Sequence, residues 1–161
     1  MFIWFCIILF CVFADQITKW LAFIFLQGND SVEIIPWFIR LSYLEGGNTG
    51  MAFGLLSEHR WVFMTFSTIA IVAIIVFMVI ARPKDKLLCT ALTLICAGGI
   101  GNMIDRIFLG YVIDFLEFTF IDFPIFNGAD SFVSIGAVLL VLYLIISMFK
   151  EYKNERNARS E

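Results

Sequence analysis

The sequence predicts an all-α membrane protein with four transmembrane helices, and three observations carry that reading. Hydrophobic residues make up 61% of the 161 residues, well above the roughly 45–50% apolar content of soluble domains. The mean hydropathy is +0.92. The apolar residues gather into four runs, about 2–26, 61–81, 87–107 and 131–150, each long enough for a hydrocarbon core of about 30 Å. The length fits a single membrane-embedded domain spanning 1–161. The net charge of −3 gives no reason to expect nucleic acid as a partner.

The first run is apolar from Met1 to Leu26 except for Asp15-Gln16-Ile17-Thr18-Lys19. It has no basic leader and no small-x-small cleavage site, and neither Cys6 nor Cys11 follows a lipobox. It is therefore expected to remain as a transmembrane helix instead of being removed as a signal peptide. Asp15 and Lys19 stand four residues apart, so they share a helical face and neutralise each other. At about 1.5 Å per residue, Asp15 lies roughly 20 Å along the helix. A pair there serves either helix packing or function, and both readings stand.

Residues 27–60 mix aromatics with charge. Pro36-Trp37-Phe38-Ile39-Arg40-Leu41-Ser42-Tyr43 has the partial alternation of a strand. The following Glu45 to Gly54 carries Gly46, Gly47, Gly50 and Gly54, which suits either a loop that cradles a ligand or an ordinary turn. Trp37, Tyr43 and Trp61 are residue types of a membrane interface. The second run carries no charge, and Arg82-Pro83-Lys84-Asp85-Lys86 makes a short basic turn. The third run holds Thr90, Thr93, Gly98, Gly99 and Gly101, which let backbones approach within lipid. It ends in Asn102, Asp105 and Arg106.

Residues 108–130 are acidic and rich in phenylalanine, with Asp114, Glu117 and Asp122 but no Lys or Arg. Asp130 stands where an N-cap of the fourth run is expected. The tail, 151–161, reads as solvated. The four cysteines, Cys6, Cys11, Cys89 and Cys96, lie inside apolar runs without CxxC or Cys/His metal spacing and read as small buried hydrophobes. His59 is the lone histidine, so a Ser-His or Cys-His pair has little to draw on. Neither a metal nor another cofactor is expected.

Basic residues set the orientation. Arg82, Lys84 and Lys86 in the turn and Lys150, Lys153, Arg156 and Arg159 in the tail mark one side as cytoplasmic. With four spans both termini face that side, and the stretches 27–60 and 108–130 face outward. The third span then delivers Asn102 and Asp105 to the outer leaflet after roughly 22–27 Å of helix. The fourth begins there at Asp130, beside Asn48, Asp114 and the outer half of the first span with Asp15. Polar clusters far apart in sequence thus meet at one depth.

Carboxylates beside hydrocarbon are costly to ionise. Two of them close together do not both ionise cheaply, so one holds a proton while the other acts as base on water. Residue chemistry alone leaves open which of Asp15, Asp105, Asp114 and Asp130 form the pair. Lys19 beside Asp15 and Arg106 beside Asp105 favour ionised carboxylates, which makes Asp114 and Asp130 the better candidates for a shared proton. Metal binding by the same carboxylates is the chemical rival, disfavoured by the absence of accompanying histidine.

Asp15-Gln16-Ile17-Thr18-Lys19, Asn48-Thr49-Gly50-Met51-Ala52-Phe53, Gly101-Asn102-Met103-Ile104-Asp105-Arg106, Val112-Ile113-Asp114-Phe115 and Phe126-Asn127-Gly128-Ala129-Asp130 together resemble, in order, the motifs of bacterial lipoprotein signal peptidase, or signal peptidase II. The resemblance implies an inner-membrane aspartyl peptidase that removes the signal peptide from diacylglyceryl-modified prolipoproteins, cutting on the N-terminal side of the lipidated cysteine. It implies Asp114 and Asp130 as the catalytic dyad, with Asp15, Lys19, Asn48, Gly50, Asn102, Asp105, Arg106 and Asn127 as substrate-binding or supporting residues. It implies four transmembrane helices with a small extracytoplasmic β-cradle, which fits the strand-like character of 36–44. The Glu45-Gly46-Gly47 lead-in to Asn48 departs from the family pattern, where a larger or basic residue precedes the asparagine.

The expected partners are a lipidated prolipoprotein and membrane lipid, with the chain itself a monomer in the bacterial cytoplasmic membrane. The phenylalanines from Phe108 to Phe126 read equally as interfacial aromatics and as a greasy wall for the substrate's acyl chains. Two other classes remain. A small transporter or ion-path protein would use Asp15, Lys19, Asp105 and Arg106, but it calls for polar groups at several depths. A non-catalytic assembly protein would use the carboxylates only to lock helices.

Overall fold

The computed structural model describes residues 2–48 and 60–159. Gly50 and His59 lie outside the described residues. Four helices, α1 (Phe2–Leu26), α2 (Arg60–Ala81), α3 (Lys86–Phe108) and α4 (Gly128–Ala158), are joined at one end by a small antiparallel sheet of β1 (Val32–Ile35), β2 (Ile39–Leu41) and β3 (Leu116–Phe118). All four helices are long and apolar enough to cross a membrane. The architecture is that of a membrane protein with a sheet set at one end of the bundle.

The third helix is the hub. α1, α2 and α4 all pack on α3, and α3 buries the largest share of its residues. Small residues make this possible. A Cβ on Gly98 would run into the Ala129 carbonyl oxygen and Val133 of α4, and one on Gly136 would come 2.8 Å from the Ala91 carbonyl oxygen of α3. Bare backbone at these two positions lets α3 and α4 approach closely. α1 buries a single stripe of Cys11, Asp15, Lys19, Ala22 and Leu26, the spacing of one face of a 3.6-residue helix. Its other faces present Phe5, Phe10 and Trp20 outward, a surface suited to lipid.

Helix ends are set by local chemistry. Asp85 caps α3, accepting from the Leu87 and Leu88 N–H groups at 2.9 and 3.2 Å. α4 runs further at both ends than its apolar core, 131–150, indicates, and its cap is Asn127, not Asp130. The Asn127 side chain accepts from the Asp130 N–H at 3.0 Å, while the Asp130 carboxylate accepts from the Asn127 N–H at 3.2 Å. This reciprocal capping box satisfies two orphan donors. It leaves Asp130 one turn inside the helix with its carboxylate held in a fixed direction.

The strand-like segment 36–44 divides differently from its alternation. Pro36 and Trp37 form the turn between β1 and β2, closed by the Phe38 N–H to the Ile35 carbonyl at 3.0 Å, with Trp37 at φ 63°. β2 then pairs with both neighbours, Arg40 opposite Glu33 on one side and Glu117 on the other. Arg40 Nε donates to Glu117 at 2.7 Å, and this ion pair holds the Glu117 carboxyl below its ordinary range. Pairing continues past β2. Leu44 N–H bonds the Asp114 carbonyl at 3.1 Å, and Asn48 exchanges two 2.9 Å bonds with Val112.

That extension seats Asn48 beside Asp114. It also explains the glycine before Asn48, because Gly47 has φ +67° and a Cβ there would fall inside the Tyr111 ring. A larger residue at that position has no room. Beneath the sheet, Ile113 and Phe115 pack on Ala22 and Leu26 of α1, with Leu41, Tyr43 and Tyr111 around them.

Gly98→Ala places a methyl group against α4 backbone and is expected to cost about 1–3 kcal/mol, seen as a lowered Tm in detergent. An unchanged Tm would mean that α3 and α4 separate freely.

Candidate active site

Polar residues buried in hydrocarbon need partners, and in this protein they supply one another. Lys19, 1% exposed, points from α1 into the bundle. Its ammonium lies 2.9 Å from Asp15 Oδ2 and 3.0 Å from Asp105 Oδ2, and it donates to Asn102 Oδ1 at 2.9 Å. All three ammonium donors are used. The two carboxylates are completed by other donors. Ala129 N–H, in the first turn of α4, reaches Asp15 Oδ1 at 2.8 Å, and Ile113 N–H reaches Asp105 Oδ2 at 3.2 Å. Gln16 Nε2 reaches Asp105 Oδ1 at 3.0 Å and the Gly101 carbonyl at 3.2 Å.

Asp105 forms its salt bridge with Lys19, while the charge of its sequence neighbour Arg106 acts on it less than on Asp130 and Asp114. Adjacent helix residues point about 100° apart and do not face each other. Arg106 turns instead toward the cavity, its Nη1 3.5 Å from the Asn102 carbonyl and its charge within electrostatic reach of Asp130 and Asp114.

Two amide side chains carry the network onward. Asn102 donates Nδ2 to Asp130 Oδ1 at 2.7 Å. Asn127 donates Nδ2 to Asp114 Oδ1 at 2.6 Å and to Asn102 Oδ1 at 3.1 Å. Asn48 donates Nδ2 to the other Asp114 oxygen at 2.9 Å. Every oxygen of Asp114 and Asp130 thus receives an N–H donor, and the rotamers of both carboxylates are fixed. Asp114 is 1% exposed. Burial pushes its carboxyl up to about 6, aided by the charge of Asp130 and opposed by the Asn48 and Asn127 amides and the Lys19 charge.

A cavity of about 760 Å³ opens beside this cluster. Asn48, Asn102, Arg106 and Asp130 form its polar end, and Phe118, Phe123, Ile125, Phe126, Val133 and Ile135 its apolar wall. Asp130 lines it directly, while Asp114 adjoins it through Asn48. Of the phenylalanines from 108 to 126, three face the cavity. Phe115 is core beneath the sheet, and Phe108 and Phe120 point outward.

Among the residues singled out from sequence, Asp15, Lys19, Asn48, Asn102, Asp105, Arg106, Asn127, Asp114 and Asp130 meet in this one region. Gly50 lies outside the described residues. Gln16 had no role assigned from sequence, although an amide beside two membrane-depth carboxylates is itself a signal. The backbone donors at Ile113 and Ala129 leave no trace in sequence.

A pair of directed carboxylates thus opens on a half-apolar cavity within four helices long and apolar enough to span a membrane. A model of one family, Signal peptidase (SPase) II, matches residues 7–146, and the chain belongs to that peptidase family. The chain is 42% identical over 137 residues to a lipoprotein signal peptidase of Symbiobacterium thermophilum, covering 84% of this chain and 89% of that one. It is 36% identical over 162 residues to the lipoprotein signal peptidase of Halalkalibacterium halodurans, covering 99% and 97%. In three dimensions it is similar to a bacterial membrane enzyme solved in meso at 2.3 Å resolution, with a TM-score of 0.81 and 33% identity over 96% of this chain and 92% of that one.

Lys19→Met keeps the bulk of the side chain and removes the charge, stranding Asp15 and Asp105 in the core. The expected loss of stability is about 3–5 kcal/mol, measured as thermal unfolding in detergent. A variant as stable as the parent would show that the cluster is not held by its cation.

Proposed function

We propose that this protein is an intramembrane aspartyl endopeptidase that removes the signal peptide from diacylglyceryl-modified prolipoproteins, cutting on the N-terminal side of the lipidated cysteine. The observation that carries the mechanism is the separation of the two carboxylates by environment. Asp114 is buried with its carboxyl raised to about 6, whereas Asp130 faces the cavity near the Arg106 guanidinium. Two carboxyl groups whose surroundings differ in this way divide the acid and base roles.

In the reaction, Asp130 takes a proton from water as the water oxygen adds to the scissile carbonyl carbon. The Asp114 proton passes to the carbonyl oxygen, giving a neutral tetrahedral diol. Collapse returns a proton from the diol to Asp114, and Asp130 gives its proton to the departing amine nitrogen. Asn102, Asn127 and Asn48 keep both carboxylates aimed. Asp15, Lys19 and Asp105 hold those amides in place. Arg106 and Asn48 meet the substrate backbone at the polar end of the cavity, and the phenylalanine wall takes acyl chains.

The basic residues between α2 and α3 and at the end of α4 support cytoplasmic termini by the charge rule. The sheet end and the site then belong to the outer leaflet, where a lipidated substrate presents its modified cysteine. A monomer suffices, since every residue invoked comes from one chain.

Asp114→Asn and Asp130→Asn, each at equal folded abundance in detergent, are expected to lose at least about 10³-fold in kcat against a diacylglyceryl-modified prolipoprotein. Retained cleavage in either folded variant would remove that residue from the chemistry. The pH dependence follows from the Asp114 carboxyl. Its proton is present below about 6 and leaves above that value, so kcat/KM should fall with rising pH through this region. A profile flat from about pH 5 to 8 would contradict the assignment.

A further inference from the structure

Among the described residues, the hydroxyls of Ser67, Ser131 and Ser134 line the cavity, and the proposed chemistry uses none of them. Ser67 lines it from α2 and Ser134 from α4. Other hydroxyls nearby are spent on their own helices. Thr65 and Thr68 donate to carbonyls one turn back at 2.8 and 2.6 Å, and Ser131 donates to the Asn127 carbonyl at 3.1 Å. Among the described residues, Ser67 and Ser134 form no hydrogen bond.

Their placement is specific. Ser134 follows Asp130 by one helical turn on the same face, about 6 Å further into the bundle. Ser67 lies roughly 10 Å along α2 from its start at the sheet end, and Ser134 roughly 9 Å along α4 from its start, so the two share a depth. α2 and α4 both pack on α3. Gly99 of α3 forms the cavity floor there, and a Cβ on it would come 3.1 Å from Ile71 of α2. The cleft therefore has a hydroxyl on each wall and a bare backbone beneath.

A substrate cut at Asp130 imposes a requirement at that depth. Hydrolysis needs an extended peptide at the scissile bond, yet a signal segment crosses lipid as a helix. Unwinding its end frees carbonyls that had accepted intrahelical bonds. Free carbonyls in hydrocarbon are costly unless a donor replaces the lost one. We propose that Ser67 and Ser134 form a binding site for the peptide backbone of a transmembrane signal helix, donating their hydroxyl protons to carbonyls released as its last turn unwinds. This rests on the peptidase reading above and adds to it the element that recognises the intramembrane part of the substrate. The two serines are positioning residues: they hold the chain one turn below the reacting bond and touch no reacting atom.

The test compares two synthetic substrates with the same diacylglyceryl cysteine, one carrying the whole signal helix and one truncated a few residues before the scissile bond. For Ser67→Ala/Ser134→Ala in detergent, kcat/KM on the long substrate is expected to fall about tenfold, mainly through KM. The loss on the truncated substrate should be several-fold smaller, because the carbonyls that the serines serve are missing. Ser67→Thr/Ser134→Thr, which keeps both hydroxyls, should recover the long substrate. Equal losses on both substrates, or none on either, overturn the serine site. The single variants give the same long-to-short ratio should the double one fold poorly. Wild-type protein that cuts neither substrate overturns the peptidase reading itself, and the serine site with it.

Discussion

The structure depends on one buried ammonium. Lys19 is shared between Asp15 four residues back on its own helix and Asp105 on α3, and both contacts are at hydrogen-bond length. Burying an ammonium between two carboxyl groups is expensive. It is tolerable because each oxygen faces a donor: Gln16, the Ile113 and Ala129 N–H groups and the ammonium itself. The Ala129 donor sits in the first turn of α4, where the helix dipole favours an anion. A single ionic centre thus joins α1, α3, the N-terminus of α4 and the loop that carries Asp114.

From that centre the order passes outward by amides. Asn102 takes the ammonium on its oxygen and so has only its NH₂ to offer Asp130. Asn127 caps α4 through its oxygen and so has only its NH₂ to offer Asp114 and Asn102. Each amide is oriented by the partner behind it, which removes the usual freedom of an amide to flip. Such a relay works only when every member is satisfied. The small residues Gly98 and Gly101 serve the same end, since a Cβ on Gly101 would come 2.5 Å from Asp15 Oδ2. Packing, ion pairing and capping are consequently one system in this protein, with the cavity as its open side.

Much of this was legible in the sequence, for identifiable reasons. The four spans follow from hydropathy because lipid forces backbone groups into helices. The meeting of Asp15, Asn48, Asn102, Asp114 and Asp130 follows from helix count and rise per residue. The i,i+4 spacing of Asp15 and Lys19 gives the first ion pair. The second partner of Lys19 was not legible, because it lies on another helix; neighbourhood in sequence gave Asp105 the charge of Arg106, which does act on it, but not the salt bridge to Lys19. The cap of α4 was misplaced by three residues, although Asn127-x-x-Asp130 carries the capping-box spacing. Apolar patterning locates where a span begins, while the polar cap lies outside it. The sheet was legible only as strand character, since strands of three or four residues take their register from the core beneath them, not from their own alternation.

In the proposed mechanism Asp114 and Asp130 share a proton because of what surrounds them. Infrared difference spectroscopy of the detergent-purified protein, titrated from about pH 4.5 to 7.5, follows that proton directly through the protonated-carboxyl stretch. The expected result is a band lost near pH 6, missing in Asp114→Asn, and displaced to lower pH in Asp130→Asn, where the neighbouring negative charge is gone. A titration near pH 6 that survives in Asp114→Asn, or no carboxyl titrating there in the wild type, would contradict it.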